Sequence, residues 1–264
     1  MDVHRELEVN GARLRYHDDG AGRPVVLVHG WTLDLEMWEP QMPLAGALRV
    51  VCYDRRGFGQ SSGTPSVADD VSDLLALLDE LELACPLLVG MSQGPRVVLE
   101  FAARHPGRAC GLLLDGAPPL ASAESDLPIE EFRALAQRAG LVAFRSAWSA
   151  HPLTQLVTRD ARKHRLLARI LARYPGHDLL APGAAARECI DAGMLARIRV
   201  PALVVNGARD TAARRAAGLE LVRSLASAEH VLIPEAAHLP NLDAPQVYNQ
   251  LMTGFARRHL PAAA

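Results

Sequence analysis

The chain has 264 residues, is 49% apolar and 22% charged, and carries a formal net charge of −2 at pH 7. That length suits one large domain with room for an insertion, and it lets the chain bury most of the surface its unfolded form exposes. The near-neutral balance argues against a nucleic-acid partner and against an acidic tail.

Val3 to Val9 alternates as a strand, Asn10-Gly11 is a hairpin turn, and Ala12 to His17 alternates as the returning strand. Pro24 to Val28 is a continuous apolar run, as a strand buried on both faces requires, and it ends in His29-Gly30-Trp31-Thr32. A short amphipathic helix is predicted around Met37 and Trp38. Arg49 to Tyr53 is a further buried strand, ending in Asp54-Arg55-Arg56-Gly57-Phe58-Gly59-Gln60-Ser61. Val67 to Leu83 spaces its apolar residues as one helix face. Pro86 to Val89 is a strand that runs into Gly90-Met91-Ser92-Gln93-Gly94, and Pro95 to Arg104 is a helix. Cys110 to Leu114 is a strand ending at Asp115. From about Ala121 to Arg197 the composition shifts to helices and loops rich in Ala, Arg and Leu, with no clear strand. Alternation then resumes with strands at Pro201 to Val205 and Glu229 to Ile233, and helices at Ala213 to Leu225 and Pro245 to Leu260.

Strands alternating with helices predict a doubly wound, mostly parallel sheet with an antiparallel edge. Residues 1–120 and 197–264 read as the core, and 121–196 as a helical cap inserted into it. No apolar run is long enough to span a bilayer, and the charged opening Met1 to Glu8 lacks the apolar stretch of a signal peptide. A cytoplasmic protein without a membrane partner is therefore expected. Cys52, Cys85, Cys110 and Cys189 are scattered and mostly lie in apolar runs, so they read as reduced core residues rather than a disulfide or metal framework. No cofactor motif is present; the Asp54 to Ser61 loop lacks the Lys-Ser/Thr that follows a phosphate cradle.

The chemistry is concentrated at Ser92. Gly-x-Ser-x-Gly turns up by chance in roughly one chain in ten of this size, so its flanks carry the weight. A buried strand before it and a helix after it hold the hydroxyl at a strand tip beside a helix N-terminus. A serine hydroxyl needs a base, and the base needs an acid to fix its tautomer. His238, after the last strand, is the candidate base. Asp210 is the candidate acid, with Asp115 as its rival because it too follows a strand. In such sheets reactive groups gather at the carboxyl ends of strands. The backbone N–H groups of Gln93 and Trp31 are the candidate oxyanion donors. His29 reads as a buried residue that shapes the loop. Phe144, Trp148, Leu153, Leu156 and Met194 are candidates to line an apolar pocket.

These signposts, in this order, resemble the α/β-hydrolase superfamily over nearly the whole chain: His29-Gly30-Trp31, Asp54 to Ser61, the Ser92 elbow, Gly207-Ala208-Arg209-Asp210, and Ala237 to Leu242. The resemblance implies an α/β-hydrolase fold, with Ser92, Asp210 and His238 as nucleophile, acid and base, and Trp31 and Gln93 as oxyanion donors. Pro95 departs from it, where a second glycine is common, but proline suits a first helical turn. The layout is similar to bacterial carboxylesterases, enol-lactonases and non-haem haloperoxidases, which implies acyl transfer from a small ester or lactone substrate. A serine at the elbow argues against haloalkane dehalogenases and epoxide hydrolases, which use aspartate there. Ser92 to Arg96 also resembles the menaquinone-pathway enzyme that eliminates pyruvate. In that reading Arg96, with Arg133 or Arg145, binds carboxylates, and Trp148 belongs to the cap. A third reading is a ligand-binding relative that keeps the triad without turnover.

Overall fold

The computed structural model describes residues 4–120, 126–180 and 192–261. Eight strands form one sheet: β1 (Arg5–Val9), β2 (Ala12–Asp19), β3 (Arg23–Val28), β4 (Leu48–Tyr53), β5 (Leu87–Met91), β6 (Gly111–Asp115), β7 (Ala202–Gly207) and β8 (Ala228–Ile233). Their spatial order is β1-β2-β4-β3-β5-β6-β7-β8. β1 and β2 form the antiparallel edge, turned at Asn10 and Gly11, which both take positive φ as a tight hairpin demands. From β4 to β8 every neighbouring pair is parallel.

Parallel strands covered on both faces read as near-continuous apolar runs, and Val25 to Val28 of β3, Leu87 to Val89 of β5 and Ala202 to Val205 of β7 supply them. Val25 and Leu27 enter one core layer; Val26 and Val28 enter the other. The second layer lies under α1 (Val67–Glu80) and α2 (Gly94–Arg104). Ser66 caps α1, its hydroxyl accepting the N–H of Asp69.

Between β6 and β7 stand α3 (Ile129–Ser149), α4 (Ala161–Arg173), α5 (His177–Leu180) and α6 (Ala192–Leu195), with no strand among the described residues. The chain continues through α7 (Ala212–Ser224), α8 (Pro240–Asp243) and α9 (Pro245–His259). The short helix expected around Met37 and Trp38 spans Leu35–Gly46 and winds as a 3-10 helix. Pro40 and Pro43 inside it remove backbone donors and disfavour the wider helix.

One expectation is overturned. Cys85 and Cys110 form a disulfide, with Cα atoms 5.1 Å apart. They precede two adjacent parallel strands, and the Cys110 N–H bonds the Pro86 carbonyl, so the sheet register sets them side by side. Cys52 is free and buried, whereas Cys189 lies outside the described residues. Disulfides belong mainly to oxidising compartments, so the cysteines no longer argue for the cytoplasm. The bridge spans a sequence separation of 25 that contains β5, Ser92 and α2. Loop-closure entropy makes such a bridge worth about 3 kcal/mol. Cys85→Ser should therefore lower the melting temperature by roughly 6–12 °C. A thermal scan of the variant beside the oxidised parent checks this; equal melting temperatures would mean that the bridge constrains nothing in solution.

Candidate active site

Ser92 stands between the end of β5 and the start of α2, with φ at 56°. A non-glycine residue in this left-handed region costs roughly 1–3 kcal/mol and persists only where the surroundings enforce it. Two close approaches do so. A Cβ on Gly90 would lie 2.5 Å from the Gly94 carbonyl carbon, and one on Gly94 would lie 2.4 Å from the Val28 carbonyl oxygen. Strand, elbow and helix thus pack at a distance only glycine allows. The Ser92 N–H donates to the Asp115 carbonyl at 2.8 Å and ties the elbow to β6.

Three strand ends bring Ser92, Asp210 and His238 together, although Ser92 and His238 are 146 residues apart in sequence. His238 Nε2 lies 2.9 Å from Ser92 Oγ. His238 Nδ1 lies 3.0 and 3.2 Å from the two carboxylate oxygens of Asp210. His238 and Asp210 are only 2% and 4% exposed. A neutral imidazole donating from Nδ1 to Asp210 presents a bare Nε2 to the serine hydroxyl. The arrangement can take a proton from Ser92 and hold the resulting cation against a carboxylate.

Asp115, the rival acid, is fully buried at the end of β6. Burial, with the Asp210 charge beside it, pushes its carboxyl well above the usual carboxylate range, and the Tyr248 hydroxyl offsets this only in part. The carboxylate that meets His238 is Asp210.

His29 is fully buried. Its Nε2 accepts the Arg55 backbone N–H at 2.9 Å, which leaves Nδ1 to donate to the Gly30 carbonyl at 2.8 Å. Burial, then the Arg55 charge, hold the ring well below the ordinary histidine range, so it stays neutral. Arg55 joins both loops beside Ser92. Its guanidinium donates to the His29 carbonyl at 3.2 Å and to Gln93 Oε1 at 2.7 Å, and it pairs with buried Asp70 at 3.0 Å. Burial raises Asp70 to about 6, although Arg55 pulls the other way.

Ser92 and His238 open into a cleft of about 610 Å³ that is partly open to solvent. Of the pocket candidates Trp148 and Leu153 line it, together with Trp31, Gln93 and Arg96. Phe144 does not line it. It is fully buried behind the wall, against the rings of Trp31 and Phe132 at 5.7 and 5.5 Å. Leu156 packs on the same core layer, while Met194 enters the layer under α2, away from the cleft. Arg133 pairs with Glu130, and Arg145 donates to the Tyr174 carbonyl, so neither cap arginine forms part of the cleft wall.

Several residues of the site carry no sequence motif. Arg214 lines the cleft, pairs with Asp126 at 3.0 Å and donates to the Gly116 carbonyl at 3.1 Å. Asp243 accepts the Ala237 N–H with one oxygen and the N–H groups of Val157 and Thr158 with the other. It thereby clasps the His238 loop to the segment between α3 and α4. Each of these contacts joins chain segments that only the fold brings together.

The chain belongs to the alpha/beta hydrolase family, whose model matches residues 25–251. It is similar to the dihydrolipoyllysine-residue acetyltransferase component of the acetoin cleaving system of Pseudomonas putida, at 32% identity over 97% of this chain and 70% of the relative. A putative non-heme chloroperoxidase of Synechocystis is 28% identical over 91% of this chain and 93% of its own. Among solved structures, the enol-lactonase from Burkholderia xenovorans superposes with a TM-score of 0.83 at 27% identity, covering 96% of this chain and all of that one. Among the described residues no helix is long and apolar enough to cross a membrane.

Proposed function

We propose that this protein is a serine hydrolase that cleaves a carboxylic ester or lactone of a small to medium substrate through an acyl-enzyme. The hydrogen-bonded line from Ser92 Oγ through His238 to Asp210 carries this reading. Ser92 attacks the acyl carbon as its proton passes to His238 Nε2. The protonated imidazole returns that proton to the leaving alcohol. Water then attacks the acyl-enzyme with His238 again as base, which frees the acid and restores Ser92. The N–H groups of Gln93 and Trp31 hold the developing oxyanion. The helices of residues 121–196 act as the cap, with Trp148 and Leu153 as its contribution to the apolar wall.

Pyruvate elimination is the second reading. Arg96 in the cleft wall favours it, whereas Arg133 and Arg145 lie outside that wall. A substrate panel separates the two: p-nitrophenyl esters of graded chain length, simple lactones, and a succinyl-bearing substrate poised to lose pyruvate. Ester or lactone turnover with no pyruvate release supports the hydrolase. Pyruvate release without ester turnover overturns it in favour of the lyase. Tight ligand binding with no turnover of any member overturns both.

A further inference from the structure

Two side chains of the inserted helices bond directly to the loop that follows β3. The Trp148 indole N–H, on α3, donates to Thr32 Oγ1 at 2.7 Å. The Thr32 hydroxyl in turn donates to the Trp31 carbonyl at 2.6 Å. On α5, Asp178 accepts the Trp31 indole N–H at 2.5 Å with one carboxylate oxygen, and the Tyr174 hydroxyl with the other. The Trp31 ring also sits edge-on to Trp148, Phe144 and Tyr174, with centroids 4.9 to 6.1 Å apart. All four of these partners come from residues 144–178, and Trp31 is a core residue.

The backbone makes this contact matter. Thr32 holds φ at 61°, a conformation that a β-branched residue strongly disfavours and keeps only when its surroundings enforce it. Its hydroxyl is held at both ends, accepting from the Trp148 indole and donating to the Trp31 carbonyl. The Trp31 main chain is therefore fixed on one side by the Thr32 turn and on the other by its own ring, and both anchors are set by the insertion.

We propose that Trp148 and Asp178 are positioning residues for the Trp31 backbone N–H. On this account the inserted helices set the electrostatics of the reaction as well as the shape of the cleft. The inference rests on the serine-hydrolase reading, because it concerns the donor that reading assigns to Trp31. Neither residue exchanges a proton with substrate. Their effect is confined to states in which the acyl oxygen carries negative charge, since an oxyanion donor contributes most there.

The test uses the full chain with Trp148→Phe, Thr32→Val and Asp178→Asn. Trp148→Phe keeps an aromatic ring, deletes the indole donor and trims the side chain. Thr32→Val keeps the shape and deletes the hydroxyl. Each is expected to lower kcat on a p-nitrophenyl ester about 10- to 100-fold and to leave KM within about threefold, a loss smaller than that of a whole oxyanion donor. Affinity for a trifluoromethyl ketone, which forms a charged tetrahedral adduct on the serine, should fall by the same factor as kcat/KM. The Thr32→Val, Trp148→Phe double variant should be little worse than Thr32→Val alone, because removing the Thr32 hydroxyl already breaks the indole bond. Thermal melts check that each variant is folded, and Thr32→Val reads the tie from the core side should Asp178→Asn fold poorly. A rise in KM at unchanged kcat, or an undiminished ketone affinity, would reduce Trp148 and Asp178 to wall residues and overturn the proposal. If the parent turns over esters and the variants match it, this inference alone fails. If the parent neither turns over esters nor binds the ketone, the hydrolase reading fails first.

Discussion

Ser92→Ala and His238→Ala should each cut kcat by roughly a millionfold, and the double variant should lose little more than either single. The reason is geometric. Ser92 Oγ meets its base at His238 Nε2, 2.9 Å away. Removing the serine deletes the attacking atom. Removing the imidazole leaves a hydroxyl ionised to a negligible extent at neutral pH. Substrate binding should be largely retained, because the cleft walls of Trp148, Leu153 and Leu239 are untouched. Single-turnover kinetics on a chromogenic ester reads this directly. Near-parental turnover in either variant would remove the proposed roles.

Asp210→Asn should lower kcat by roughly ten-thousandfold, and Asp115→Asn by no more than about tenfold. An amide at position 210 can turn its NH2 toward His238 Nδ1. That favours the tautomer with its proton on Nε2, where it cannot accept from Ser92, and it removes the charge that steadies the imidazolium. Asp115 differs in kind. Burial and the charge of Asp210 favour the neutral form of its carboxyl, and it is Asp210 that meets His238. An amide of nearly the same shape fits that buried position and leaves the bonds of His238 to Asp210 and Ser92 in place. Parallel steady-state kinetics on the two variants checks the contrast. The reverse order of effects would pass the acid role to Asp115.

The backbone of this account was legible before any coordinates. Buried parallel strands need unbroken apolar runs, so Pro24 to Val28 and Pro201 to Val205 announced the sheet. The elbow was legible because two close backbone approaches require Gly90 and Gly94 around a serine. What stayed hidden depends on pairings between distant segments. Trp148 and Thr32 are 116 residues apart, and Trp31 and Asp178 are 147 apart. No local pattern marks either pair. Phe144 and Met194 are apolar helix residues, and nothing in their spacing tells which wall they face. The Cys85–Cys110 bridge follows from the β5–β6 register, which a one-dimensional reading does not contain.

The central claim is that Ser92 is a nucleophile activated by His238. Its most direct test is intact-mass analysis after brief exposure to a fluorophosphonate, with peptide mapping of the adduct. The predicted result is one phosphonyl group on Ser92, loss of ester turnover in step with labelling, no adduct in Ser92→Ala, and labelling slowed by orders of magnitude in His238→Ala. An unlabelled protein that turns over esters, or an adduct on another residue that stops turnover, would contradict it.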